Sequence, residues 1–175
     1  YKVIEAPEDA AKVMQNALPV LEFGFPEPVR FGIPNLKNAS MIVDVLTKAV
    51  EFVVSGQAIA LCTLPIHKQA LQDGAGFEHP GHTEFLAALC GVKQPVMMLA
   101  GPKLRVVPAT IHMPLSKVPS ALAHLNLEEL ITITFEAIKN YFNIACPRLA
   151  VLGLNPHAGE SGKFGNEDLE IMQPV

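Results

Sequence analysis

An apolar run of strand length, Leu149-Ala150-Val151-Leu152-Gly153-Leu154, stops at Asn155-Pro156-His157 and gives way to a loop with glycines at 159, 162 and 165. A short continuous apolar run bounded by turn residues reads as a buried strand. In open α/β sheets, the loops at the carboxyl ends of strands form the crevice where ligands collect. Glycine lets backbone approach a ligand closely, and proline fixes the turn before His157. Two readings of the segment stay open: a ligand loop, or a surface turn that happens to carry a histidine.

The rest of the chain alternates in the same style, which points to an α/β layered fold. Pro7 to about Leu18 reads as a helix on Ala10, Ala11, Val13, Met14 and Leu18, and Leu21 to Lys37 as an irregular connection. Asn38-Ala39-Ser40 starts a second helix with Ile42, Val45, Leu46, Ala49, Val50 and Val53 on one face, and Gly56 stops it. Gln57–Leu64 reads as a buried strand. Val96–Ala100 and Leu104–Thr110 flank Gly101-Pro102-Lys103 as two strands joined by a short turn. Asn126, with Glu129 three residues later, resembles a capping box and opens a helix to about Phe142. Asn166-Glu167-Asp168 opens a last helix.

A chain of 175 residues is one domain or parts of two, long enough to bury about 70% of its extended surface. The net charge of −4 with no basic block argues against nucleic-acid binding. No apolar run reaches the roughly 18–20 residues of a membrane span, and no charged-then-apolar leader opens the chain. Cys62, Cys90 and Cys146 are odd in number and lack a Cys-x-x-Cys pair. They read as reduced packing residues of a cytoplasmic protein.

Three of the six histidines, His67, His112 and His157, each lie near the end of an expected strand. Neutral imidazole is the commonest side-chain metal ligand, so strand-end histidines that converge would make part of a metal shell. The competing reading is polar strand-end residues bonded to backbone. In Gly81-His82-Thr83-Glu84, Thr83 can cap a helix from Glu84 onward, giving either an anion site or a plain cap. Lys68 either meets a carboxylate or phosphate or stays solvated. His79 reads as a loop residue and His124 as structural or solvent-facing. The Rossmann fingerprint, the Walker loop and the Gly-x-Ser-x-Gly elbow are all absent.

Four blocks, in order, resemble the 4-hydroxythreonine-4-phosphate dehydrogenase family of vitamin B6 (pyridoxine) biosynthesis. They are Thr63-Leu64-Pro65-Ile66-His67-Lys68, Gly81-His82-Thr83-Glu84-Phe85, Ala109-Thr110-Ile111-His112-Met113-Pro114-Leu115 and Gly153-Leu154-Asn155-Pro156-His157-Ala158-Gly159-Glu160. The last is the most specific, and Val96-Met97-Met98-Leu99 fits between the second and third. The resemblance runs from about Ser55 to the end and is fainter before it. It implies a three-layer α/β/α fold similar to isocitrate and isopropylmalate dehydrogenases, incomplete at both ends, in a homodimer. Residues 1–60 would belong to the first α/β domain and 61–175 to most of the second.

The resemblance further implies NAD or NADP without a Rossmann fingerprint, and a divalent metal (zinc, magnesium or cobalt) held by three histidines. Two of these match His112 and His157; the third belongs to a Tyr-His-Asp-Gln-Gly block that this chain does not contain. The family's substrate-binding His-Thr pair matches His82 and Thr83, and Lys68 is a further candidate for proton transfer or carboxylate contact. No cofactor-binding residue is assigned. The family's glycine-rich opening is also absent, and Ser161 stands where a glycine is common. The implied reaction oxidises a secondary alcohol of a phosphorylated four-carbon amino acid, whose β-keto acid product then loses carbon dioxide. The 175-residue segment by itself is expected to be inactive. Alternatives are a sister dehydrogenase acting on threonate or erythronate 4-phosphate, a metal-dependent hydrolase and a non-catalytic fragment.

Overall fold

In the computed structural model, which describes residues 1–175, two short strands come first, β1 (Lys2–Val3) and β2 (Pro19–Val20), paired in parallel. Between them Pro7 opens a single 3₁₀ turn that leads into helix α1 (Ala10–Val13). The helix expected to reach Leu18 therefore ends early. Met14 and Leu18 are exposed, so its far end has no apolar surface to pack on.

Asn38 ties the irregular connection to the first long helix. Its buried amide accepts from the Glu27 N–H and donates to the Glu27 carbonyl, both at 2.9 Å. Helix α2 (Ala39–Val54) starts beside it and ends before Gly56, whose φ of 77° is the left-handed conformation that stops a helix. Both expected ends are borne out. Ala39, Leu46 and Val50 are buried, seven and four residues apart, so the 3.6-residue period aims one stripe inward.

Helix α3 (Lys68–Ala75) ends at Gly76 in a left-handed cap, and the Phe77 N–H reaches back to the Leu71 carbonyl. The Gly76 N–H bonds to the Gln72 carbonyl, the single bond of an αL cap. It returns Phe77 to the core beside Leu71 and Ala39, with Leu46 of α2 and Phe85 of helix α4 (His82–Leu89). Leu71 is 1% exposed, and full burial of such a side chain contributes about 1.5–3 kcal/mol. A Cβ at Gly74 would fall onto the Leu36 carbonyl oxygen, so α3 needs glycine where it meets the turn before α2.

These elements form one compact unit, Tyr1–Pro95; Val96–Val175 form a second. In the second, β3 (Leu99–Ala100) and β4 (Arg105–Val106) pair antiparallel around the expected turn, though only two residues long each. Helix α5 (Val118–Leu122) comes next. Helix α6 (Leu127–Phe142) begins on the expected capping box: Asn126 Oδ1 accepts from the Glu129 N–H (3.1 Å), and its Nδ2 donates to the Glu129 carboxylate (2.9 Å). Leu127, Leu130, Thr134 and Ile138 are its buried stripe, and Tyr141 near its end is exposed. The Arg105 guanidinium lies over the Phe142 ring, 4.4 Å from its centroid. The last expected helix is a π-helical turn, Asp168–Met172.

The chain is therefore a mixed α/β protein, but its pairing is sparse. Gln57–Leu64 and Arg148–Leu154, both expected as strands, form no ladder. The chain exposes 12864 Å². A compact monomer of its mass exposes about 8,300 Å², and two separate compact bodies of half that mass about 10,000 Å². Part of the excess is strand-length apolar sequence left uncovered, including Ile59, Leu64 and Leu152. The cysteines correct an expectation in the same way. All three are free and exposed, and Leu89 beside Cys90 is exposed as well. No helix is long and apolar enough to cross a membrane.

Candidate functional site

The segment after Leu154 folds into a tight loop held mainly by one amide. Asn155 Oδ1 accepts from the backbone N–H groups of His157 (3.0 Å) and Gly159 (3.4 Å). Its Nδ2 donates to the Phe164 carbonyl (3.1 Å), joining the two ends of the loop. Between them Ala158, Gly159, Glu160, Ser161 and Gly162 have φ values of 46°, 74°, 41°, 57° and 88°. A left-handed backbone costs an ordinary L-residue about 1–2 kcal/mol, and glycine almost nothing. Three of these five positions are not glycine. Local bonds hold the turn: Glu160 N–H to His157 O, Gly162 N–H to Gly159 O, and Phe164 N–H to Gly159 O, at 2.9–3.0 Å.

This loop presents the His157 ring to solvent. The imidazole stacks on the Phe164 ring with centroids 4.9 Å apart and planes 24° apart. Its Nδ1 lies 3.8 Å from a Glu160 carboxylate oxygen, and the other Glu160 oxygen accepts from Lys163 at 3.2 Å. The strand expected before His157 is absent, so the loop owes its shape to these contacts and not to a sheet edge. Beneath it Asp168 is buried, with Oδ2 lacking a hydrogen-bond partner. A Cβ on Gly153 would come within 3.1 Å of Asp168 Oδ1 and 2.9 Å of the Ala158 Cβ, so the stem also requires glycine.

His112 is exposed in a bend, with φ of 55°. Neither its ring nor that of His157 is hydrogen-bonded to backbone, unlike the alternative of backbone-tied strand-end histidines. Imidazole nitrogens not tied to backbone suit a zinc-like divalent cation. No group of three His, Cys, Asp or Glu side chains capable of holding a metal stands together in the chain. In donor chemistry His112 and His157 thus fit two ligands of such a site, and in number they fall short of a complete one.

The first unit carries the other expected residues. Lys68 is exposed at the first position of α3. His67, expected at a strand end, is the N-cap of that helix. Its Nδ1 accepts from the Ala70 N–H at 3.2 Å, which occupies one of the two ring nitrogens. His82 and Thr83 lie in the first turn of α4. Thr83 is not the cap expected of it: Gly81 takes that position, with no side-chain cap bond. His82 Nε2 is buried without a partner, and Thr83 is exposed. His79 is more than a loop residue, since its ring packs against Phe77 and Phe85 with centroids 5.4 and 5.1 Å away.

None of the five candidates lines either of two surface cavities. One of about 340 Å³ lies among Lys2, Asp9, Lys12 and Asn16, where the Asp9 carboxylate raises the Lys12 ammonium above its ordinary pKa through a 2.9 Å hydrogen bond. Another, of about 210 Å³, lies among Phe77, His79 and Phe85. The organising roles of Asn155 and Phe164, and the burial of Asp168, were missed by sequence reasoning. Only the proximity of Asn155 and Phe164 to a glycine-rich histidine loop hinted at them.

Comparison with known proteins gives a consistent result. The family model described as pyridoxal phosphate biosynthetic protein PdxA matches residues 1–175. A protein named 4-hydroxythreonine-4-phosphate dehydrogenase from Ruegeria sp. (strain TM1040) is 51% identical over 100% of this chain and 54% of its own length. One of the same name from Caulobacter vibrioides is 42% identical over 99% and 54%. Among solved structures, 4-hydroxythreonine-4-phosphate dehydrogenase from Klebsiella pneumoniae superposes with a TM-score of 0.87 at 28% identity, over 99% of this chain and 53% of that one. A protein of the same name from Burkholderia phymatum gives 0.75 at 32% identity, over 97% and 52%. The chain spans about half the length of the curated relatives it matches.

Proposed function

Because the chain belongs to the PdxA family, we propose that the full-length protein is a 4-hydroxythreonine-4-phosphate dehydrogenase acting in pyridoxal phosphate biosynthesis. It oxidises 4-phosphooxy-threonine with NAD or NADP, in a reaction that depends on a divalent metal and proceeds to decarboxylation. The observation that carries this reading is the 51% identity across the whole chain to a protein of that name. The exposed rings of His112 and His157, neither bonded to backbone, support it. We assign to the full-length protein the three-layer α/β/α architecture, a homodimeric state and a cytoplasmic location, with residues 1–60 and 61–175 in its first and second domains.

His112 and His157 are the proposed metal ligands within this chain. When bound, the cation supplies positive charge beside a substrate oxygen and the nicotinamide supplies the hydride acceptor. The chain's own residues do the placing. Thr83 offers an exposed hydroxyl in the first turn of α4, and the unpartnered His82 Nε2 is the atom on that turn still in need of a hydrogen bond. Together they orient the substrate. Lys68 supplies a mobile ammonium that can carry a proton or meet a carboxylate. With only two of the metal ligands, the 175 residues alone should not turn over substrate.

The test uses full-length protein. His112→Ala and His157→Ala should each remove bound metal, and activity should fall with it by about a hundredfold or more. Unchanged metal content in both variants defeats the ligand assignment. Nicotinamide reduction with 4-phosphooxy-threonine, and none with threonate or erythronate 4-phosphate, separates this enzyme from its sister dehydrogenases. Absence of reduction with all three rejects the dehydrogenase reading.

A further inference from the structure

His157 is a proposed ligand on the strength of its chemistry, but its position has a cause of its own. An exposed histidine on a loop explores several rotamers, and each must be given up on binding a metal. Here two contacts act on the ring and its backbone at once. The Phe164 ring lies nearly parallel to the imidazole at 4.9 Å and restricts its plane. The Asn155 amide fixes the His157 N–H and, through the Phe164 carbonyl, the residue that supplies the stacking ring. The backbone between them is left-handed at five consecutive residues, three of them not glycine. Such local strain persists only where surrounding contacts over-determine it. Nδ1 lies 3.8 Å from the Glu160 carboxylate, and no hydrogen bond or ion pair engages Nε2.

We propose that Asn155 and Phe164 are positioning residues for His157: the amide closes the loop and the phenyl ring sets the imidazole plane, so that Nε2 is presented ready to bind. The inference rests on the reading of His157 as a metal ligand and adds to it the reason that this loop has its shape. Residues that orient a metal-binding histidine typically matter by about ten- to a hundredfold in metal affinity.

The experiment uses metal-free full-length protein and zinc alone as the probe, with no substrate. The His157 Cε1–H proton resonance is assigned by its disappearance in His157→Gln. In the unsubstituted protein this resonance should be displaced upfield by the Phe164 ring current. Phe164→Leu should abolish the displacement and weaken zinc binding about tenfold or more. Phe164→Tyr, which keeps the ring, should restore both. Asn155→Ala should act in the same direction, and if it fails to fold, the Leu and Tyr pair at 164 decides alone. A resonance unmoved in Phe164→Leu overturns the stacking. A resonance that moves while zinc affinity stays unchanged, with His157→Gln abolishing binding, overturns the positioning role. Zinc affinity unchanged in His157→Gln means that the ligand reading itself has failed, and the ring-current result then reports loop geometry only.

Discussion

The helices α2 and α3 and the loop from Gly153 to Asp168 are ordered by opposite means. In the helical region, apolar side chains on a regular period bury one another: Leu71 is almost wholly enclosed and Ala39, Leu46, Phe77 and Phe85 surround it. In the loop, the central side chains face solvent, and order comes from one amide, a stacked pair of rings and a backbone held in left-handed conformations. Burial is non-directional and tolerates exchange of one apolar residue for another of similar volume. Hydrogen bonds and stacking are directional, so they place a single ring where burial could only enclose it. The lesson is a division of labour: packed helices hold the core around Leu71, whereas directional contacts set the geometry around His157.

Three substitutions probe that contrast. The largest effect belongs to the packed region. Leu71→Ala empties a nearly sealed position and should cost about 2–5 kcal/mol in denaturant unfolding of the full-length protein, with zinc affinity per folded molecule unchanged. A parallel loss of metal affinity would break the contrast. Next comes Gly159→Ala in the loop. Its Cβ would lie 2.7 Å from the Gly165 carbonyl oxygen, at a φ of 74°. The local cost is about 1–3 kcal/mol, and here zinc affinity should fall while the unfolding midpoint moves less than for Leu71→Ala. The smallest effect is a gain. Ser161 sits at a φ of 57°, and Ser161→Gly should relieve strain and stabilise by about 0.5–1 kcal/mol. A loss of stability on that exchange would mean that the serine side chain supports the turn.

Legibility in the sequence tracked the range of the interactions. The start of α6 could be read from Asn126 and Glu129 because a capping box is closed within four residues, and the end of α2 from Gly56 because one residue's φ decides it. The runs Gln57–Leu64 and Arg148–Leu154 carry the right composition for strands but no ladder, because a strand exists only with a partner whose position no local pattern encodes. Cys62, Cys90 and Cys146 misled for a related reason: residue type does not ensure burial in space. At the candidate site, His82, Thr83, His112 and His157 are proposed from residue type and motif alone. That His67 caps α3, and that Gly81 caps α4 in place of Thr83, were not legible, since a helix start one residue away changes which side chain can reach the free N–H groups.

By itself, then, the sequence determined the alternation of helical and apolar segments, both long helices with their ends, and the motifs that assign the family, all of which depend on residues a few positions apart. Tertiary structure alone decided which apolar runs are covered, where Asp168 is buried, and that Phe164 lies flat against His157. The physical reason is that burial and ring contact are set by the distance between atoms in space, and the chain reaches those distances only after its turns, here a left-handed one, have been closed.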